Sequence, residues 1–287
     1  MSEALVPGQS IGILGGGQLG SMLAMAAARL GFQVHVFEPG ANPPAGDVAG
    51  TTTTASYDDA TALRAFARSV DVVTYEFENV PAAALDLIEA EVPIRPNRQA
   101  LAISQDRLTE KTFLNEIGLH TAPFAPVTPG PAAAAELAQA MANVGSPSIL
   151  KTRRLGYDGK GQARIDSPHD ATAALDAMSG SEAILEGFVS FDREISVIAA
   201  RGADGTIACF EPGENVHRNG ILHTTRVPAT IEPETRESAF GVAGTIHAAL
   251  DYIGVLGVEL FHTSDGLLVN EIAPRVHNSG QWTEAGA

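Results

Sequence analysis

The apolar run Ile11-Gly12-Ile13-Leu14 leads straight into Gly15-Gly16-Gly17, and a helical pattern opens directly behind it. A buried strand that turns this tightly into a helix fits few folds. From Leu19 to Leu30 apolar residues recur at helical spacing, and Gly31 closes the segment as a C-cap. Gln33 to Phe37 reads as a second strand that ends at Glu38, and residues 39–44 form a Pro/Gly loop. A helix over 58–69, a strand over 70–75 and a helix over 82–90 continue the alternation. Alternating strands and helices build a parallel sheet, so the first domain is read as residues 1–105.

The pattern then changes. A helix is expected over 106–117, with Gly118 as its stop. Residues 121–131 are punctuated by proline and read as an exposed connection. An alanine-rich helix follows over 132–143, then a strand over 148–152, a helix near 170–178 and a strand at 183–185. Residues 106–188 thus read as a small α+β domain. Residues 189–287 read as a sheet, with strands at 194–200, 207–210, 255–262 and 267–272 and one helix over 234–250. No capping or breaking residue explains the end at Ala287, so a fragment of a longer protein is expected.

Composition narrows the function. With 18 Lys+Arg against 34 Asp+Glu the formal net charge is −16, the opposite of a general nucleic-acid binder. Any anionic ligand must therefore be held by a local cluster of basic groups. The single cysteine, Cys209, excludes a disulfide framework and a Cys-rich zinc site. No apolar run approaches the roughly 18 residues of a membrane span, and Met1–Ser10 carries no Lys or Arg. A cytoplasmic protein without membrane partners is expected.

Five segments carry chemistry. Gly15-Gly16-Gly17-Gln18-Leu19-Gly20 satisfies G-x-G-x-x-G between strand and helix, and Glu38 follows about 18 positions beyond Gly20. Alone, this describes an NAD-dependent dehydrogenase or a glycine turn chosen for strand–helix packing. Glu259 and Glu271 lie in two apolar runs joined by Thr263-Ser264-Asp265-Gly266, a hairpin signal. A turn centred on Asp265 sets the two acids opposite each other. Period 2 puts Val255, Gly257 and Phe261 on the face of Glu259, and Leu267 and Val269 on that of Glu271. Like charges so placed are destabilising, and a bound Mg²⁺ resolves the conflict. Solvent, or Arg and Lys partners, would also resolve it. Lys151 ends a strand and precedes Gly156-Tyr157-Asp158-Gly159-Lys160-Gly161, a loop able to wrap phosphate with backbone N–H groups or simply to flex. Pro274-Arg275-Val276-His277-Asn278-Ser279-Gly280 gathers a cation, an imidazole, an amide and a hydroxyl just after Glu271. Tyr75-Glu76-Phe77-Glu78-Asn79 sits at the carboxyl end of a parallel strand, where open α/β sheets bind ligands.

Together with Asp106-Arg107-Leu108-Thr109 and Asn270-Glu271-Ile272-Ala273, these segments resemble the ATP-grasp superfamily over nearly the whole chain, and within it the N5-carboxyaminoimidazole ribonucleotide synthetases. The resemblance implies an α/β ATP-grasp fold in three parts: a Rossmann-like domain, a small lid and an ATP-grasp sheet, with a C-terminal segment missing. It implies an ATP- and bicarbonate-dependent carboxylation of 5-aminoimidazole ribonucleotide through carboxyphosphate, in purine biosynthesis, by a homodimer. It assigns Arg107, Lys151, Gly156 to Gln162, Glu186 to Val189 (Glu186, Gly187, Phe188 and Val189), Glu194, His217, Asn270 and Glu271 to ATP. Mg²⁺ falls to Glu259 and Glu271. Gly17, Gln18, Leu19, Glu76, Arg275, Asn278 and Ser279 face the ribonucleotide or bicarbonate. Lys151, Arg275, His277 and Asn278 are the catalytic candidates, with His277 for proton handling near the amine. The formate-dependent glycinamide ribonucleotide transformylase is the nearest enzymatic alternative. A non-catalytic nucleotide-binding protein is another.

Overall fold

The computed structural model describes residues 4–156, 160–218 and 220–286. The first sheet has the order β3-β2-β1-β4 and every pairing in it is parallel. It uses β1 (Ser10–Leu14), β2 (Gln33–Phe37), β3 (Thr51–Thr53) and β4 (Val72–Tyr75), linked by α1 (Gln18–Arg29) and α2 (Ala60–Ala67), with α3 (Ala82–Glu89) following. Its two faces are buried under separate clusters. Val36 and Ile13 pack under α1, and Phe37, Phe66, Tyr75 and Ile88 pack on the other side. This two-sided burial is why the strands read as short continuous apolar runs. The carboxyl ends of β1 and β4 lie side by side, which brings the glycine turn next to Glu76.

Two helices then lead out, α4 (Arg98–Ser104) and α5 (Arg107–Glu116), capped by the side chains of Asn97 and Asp106. Asp106 also holds Arg153 in a two-pronged ion pair at 2.7 and 3.1 Å. Although α5 opens the segment read as the small α+β unit, Leu114 on it and Ala100 on α4 are buried in the core of the third sheet. Chain order and packing diverge there because α5 turns its inner face to that sheet.

The second sheet has the order β5-β8-β6-β7 and is antiparallel. It comprises β5 (Phe124–Val127), β6 (Ser148–Thr152), β7 (Gln162–Ile165) and β8 (Ala183–Gly187), with α6 (Ala133–Val144) and α7 (Ala171–Ala177) on one face. The strand β5 corrects the expectation of an exposed connection over 121–131. Pro126 is tolerated because β5 lies at the sheet edge, and Val127 anchors it in the core.

The third sheet is antiparallel, with the order β12-β11-β9-β13-β14 and β10 added to β9. Its strands are β9 (Arg193–Arg201), β10 (Ile207–Cys209), β11 (Gly213–Arg218), β12 (Ile221–Arg226), β13 (Gly254–Thr263) and β14 (Gly266–Ala273). The helix α8 (Pro233–Ala249) covers one face and supplies Ala239, Ala243 and Ile246 to a core with Val197, Leu256, Val258 and Leu260. The acidic residues stand on the other face, against part of which the 277–280 turn packs. No helix among the described residues is long and apolar enough to cross a membrane.

Candidate active site

The hairpin β13–β14 pairs Glu259 with Glu271, but not by simple continuation from its turn. Thr263 pairs with Gly266 around a two-residue loop, and the same register runs to Leu260 opposite Val269. Continued, it would set Glu259 against Asn270. A β-bulge at Asn270 adds one residue, and Glu271 moves into place. The bulge also corrects the expected faces: Val269 packs in the core with Leu260, and Leu267 packs against that core.

The acid pair is not on an apolar surface either. Arg107 Nη1 lies 3.2 Å from Glu271 Oε2, and His277 Nε2 lies 3.8 Å from Glu259 Oε1. Ligand atoms of Glu259, Glu271 and His277 all fall within 4.8 Å of one another. Burial, with Glu271 beside it, pushes Glu259 above the ordinary carboxylate range. Burial works the same way on Glu271, but Arg107 leads a group of positive neighbours that holds it below that range. One acid is therefore charged, and the other is poised to lose a proton to an arriving cation. Two carboxylates of this kind suit a hard, oxygen-seeking ion such as Mg²⁺. Gly257 leaves room for this arrangement, because a Cβ there would stand 2.8 Å from that of His277.

Facing the acids is a cluster of basic side chains. Lys151 Nζ on β6 and Lys111 Nζ on α5 both meet Glu186 Oε2 on β8, at 2.9 and 3.4 Å. Burial lowers the Lys151 pKa, with Arg107 and Lys111 adding to the effect and Glu186 opposing it. Burial favours a protonated Glu186, yet its two lysines outweigh that and keep it ionised. Arg107 reaches from the first turn of α5 to Glu271 and also donates to the Gly156 carbonyl at 3.3 Å. These contacts answer the requirement that a chain of net charge −16 concentrate its cations locally.

Beyond β14 the chain turns through Arg275 to Asn278. Arg275 pairs with Glu78 at 2.9 Å, which connects this turn to the end of β4. Burial raises Glu78, and Arg275 only partly offsets it. His277 Nδ1 meets the Ser279 hydroxyl at 2.9 Å. Burial, reinforced by Arg275, lowers the His277 pKa to about 4, so its imidazole is neutral near pH 7. Glu194 on β9 and His217 on β11 form a close pair across the sheet, and that carboxylate raises the His217 pKa.

The glycine turn serves a different end from the one its fingerprint suggests. Glu76 accepts from Gly17 N at 2.7 Å and Gly20 N at 2.9 Å, and Glu38 accepts from Gly16 N at 2.8 Å. The N–H groups that would cradle a dinucleotide pyrophosphate are bonded to the chain's own carboxylates. A Cβ on Gly17 would fall 2.7 Å from Glu76 Oε1, so glycine is required for this approach.

One cavity of about 550 Å³ unites most of these groups. Leu19, Glu76, Arg107, Lys151, Gly156, Lys160, Gln162, Glu194, His217, Glu259, Asn270, Glu271, Arg275, His277 and Asn278 line it. Tyr157, Asp158 and Gly159 lie outside the described residues. Gly17, Gln18, Gly161 and Glu186 to Val189 are not among the cavity's lining residues, and Ser279 is buried and hydrogen-bonded to His277. Sequence reading missed Glu110, Lys111 and Arg153. The signal for the first two was present: Glu110 and Lys111 sit one helical turn before Leu114, where an inward-facing helix normally carries apolar residues.

An open parallel sheet, an antiparallel lid bearing the lysine and a second antiparallel sheet bearing paired acids define an ATP-grasp enzyme. Residues 112–287 match the ATP-grasp domain, and residues 9–105 match the ribonucleotide synthetase preATP-grasp domain. The N5-carboxyaminoimidazole ribonucleotide synthase of Brucella melitensis is 53% identical, over 98% of this chain and 78% of its own length. A solved ADP complex of an N5-carboxyaminoimidazole ribonucleotide synthetase superposes with a TM-score of 0.94 at 40% identity, over 99% of this chain and 75% of the other. The Aspergillus clavatus synthase, solved with ADP and 5-aminoimidazole ribonucleotide, gives 0.88 at 32% identity, over 96% of this chain and 72% of that one. This chain belongs to the N5-carboxyaminoimidazole ribonucleotide synthase family.

Proposed function

We infer that this chain uses ATP and bicarbonate to carboxylate 5-aminoimidazole ribonucleotide, forming N5-carboxyaminoimidazole ribonucleotide in purine biosynthesis. The observation that carries the reading is the meeting, in one cavity, of the Glu259–Glu271 pair, the cations Arg107 and Lys151, and the Arg275–Asn278 turn. The reading divides the chain at 1–105, 106–188 and 189–287, and makes it a cytoplasmic homodimer.

Arg107 and Lys151 hold the ATP phosphates, with Gly156, Lys160 and Gln162 beside them. Glu186 to Val189, Glu194, His217 and Asn270 hold the rest of the nucleotide. Glu259 and Glu271 are the residues that would hold Mg²⁺, which supplies positive charge against the phosphate oxygens. Bicarbonate is a poor electrophile and must be activated. One of its oxygens attacks the γ-phosphorus, ADP leaves, and carboxyphosphate forms. The exocyclic amine then attacks the carboxyl carbon, phosphate leaves, and the amine loses a proton. Arg275 and Lys151 offset charge that develops on the transferring groups. The neutral His277, oriented by Ser279, is available for the amine proton. Gly17, Gln18, Leu19, Glu76 and Asn278 frame the ribonucleotide. Water exclusion from the cavity protects carboxyphosphate from hydrolysis.

Trapping tests the sequence of steps. With bicarbonate labelled in its oxygens, the released phosphate should carry one label. Unlabelled phosphate would remove carboxyphosphate from the pathway.

A further inference from the structure

The site depends on an irregularity, the bulge at Asn270. Without it the turn's register pairs Glu259 with Asn270, and Glu271 moves to the opposite, core-facing side of the sheet. A bulge interrupts the ladder, and β14 is the edge strand of its sheet: the backbone of His120 and Thr121 meets its outer side at Val269, but among the described residues no strand runs alongside Asn270 to Ile272. Two of those groups flank Glu271: the carbonyl of Asn270 and the amide of Ile272.

Both are taken by consecutive residues of α5. Lys111 Nζ donates to the Asn270 carbonyl at 3.1 Å, and Glu110 Oε1 accepts from the Ile272 amide at 2.7 Å. Donor and acceptor are the complement that a neighbouring strand would offer, supplied here by side chains. Glu110 is 3% exposed and Lys111 1%. Burying two such polar side chains is costly unless each is bonded, and these bonds converge on the two residues beside Glu271. Lys111 also shares Glu186 Oε2 with Lys151, so the same ammonium ties the acid-bearing strand to the phosphate-side lysine.

We propose that Glu110 and Lys111 are positioning residues that lock the Asn270 bulge and so hold Glu271 opposite Glu259, ready for a divalent cation. The proposal rests on the ligase reading and adds to it the device that assembles the metal site. Neither residue is assigned contact with substrate. Their effect runs through the backbone of β14, as outer partners of metal ligands generally act.

The test compares Glu110→Leu, Glu110→Gln and Lys111→Met in the full chain. The readout is Mn²⁺ affinity in the presence of ADP, followed by the free-ion electron paramagnetic resonance signal, beside thermal unfolding. Glu110→Leu and Lys111→Met should weaken Mn²⁺ binding by about tenfold or more. Glu110→Gln keeps an acceptor for Ile272 N and should recover most of the affinity, which a purely electrostatic role for Glu110 would not allow. Folded Leu and Met variants with unaltered Mn²⁺ affinity would overturn the proposal alone. An unaltered chain that binds neither ADP nor Mn²⁺ would overturn the ligase reading and the proposal with it. Should the Leu and Met variants not fold, amide exchange in the unaltered chain decides. Slow exchange at Ile272 is required, and the rate of a free edge-strand amide would overturn the proposal.

Discussion

At the scale of single residues, the site works by unequal treatment of similar groups. Glu259 and Glu271 are chemically alike and directly paired, yet burial raises the first while Arg107 and its neighbours hold the second down. Glu271→Gln removes a metal-ligand candidate and leaves Arg107 without its partner. ATP-dependent turnover, measured as ADP release, should fall at least about 100-fold. His277 presents the opposite case, a ring kept neutral by burial and by Arg275. His277→Ala should lower carboxylated product by about 100-fold or more while ADP binding, followed by calorimetry, stays close to unaltered. Equal loss in both would return His277 to a structural role. The acids were legible as hairpin neighbours because the turn and the two apolar runs are local, but the bulge at Asn270 that sets them opposite each other was not, since plain alternation from the turn pairs Glu259 with Asn270. The role of Lys111 was not legible: its place one turn before Leu114 marks it as inward-facing, but its partners Asn270 and Glu186 lie far along the chain.

Among the elements, α5 has the largest part in placing the site. It carries Arg107, Glu110 and Lys111, and its N-terminus is held by Asp106, which accepts from Leu108 N and Thr109 N and binds Arg153. Asp106→Ala removes a cap and a charged hydrogen-bond partner, and should cost about 2 to 4 kcal/mol in denaturant unfolding. Burial alone would raise the Asp106 pKa, but Arg153 and the capping amides together lower it. That contribution is complete above the unfolded-chain value of about 3.9 and is lost as pH falls through the lower folded value. The stability gap between the unaltered chain and Asp106→Ala should therefore hold from pH 7 to about 4 and narrow below. A gap unchanged at the lowest pH would contradict this account of the cap. The helix itself was plain from its Asp start and Gly118 stop. The hairpin β11–β12 was not: its residues are mostly polar and half exposed, so no apolar alternation betrays it, and His217 reaches the cavity from it. Strand β5 was hidden by its proline, and α4 by being only seven residues long.

For the molecule as a whole, a chain of net charge −16 gathers Arg107, Lys151, Arg153, Lys160 and Arg275 in one cavity, interleaved with acids. Long polyanions meet a net charge of −16, whereas a small phosphate ester can reach Arg107 and Lys151 inside the cavity. Duplex DNA should therefore show no retardation with this protein at physiological salt, and ADP should bind. DNA binding would contradict the partition of charge. The three sheets meet at that cavity, with Glu76 from the first, Lys151 from the second and Glu259 from the third. The order of the sheets could be read from the strand–helix alternation and its loss after residue 105. Their convergence could not, since it depends on long-range pairs such as Arg275–Glu78 and Arg107–Glu271. The central claim is that this convergence makes a carboxylating ligase, and the most direct test is ADP release from Mg-ATP and bicarbonate with and without 5-aminoimidazole ribonucleotide. The account predicts strong stimulation by the ribonucleotide and an acid-labile carboxylated product. ADP release that is indifferent to the ribonucleotide would contradict it.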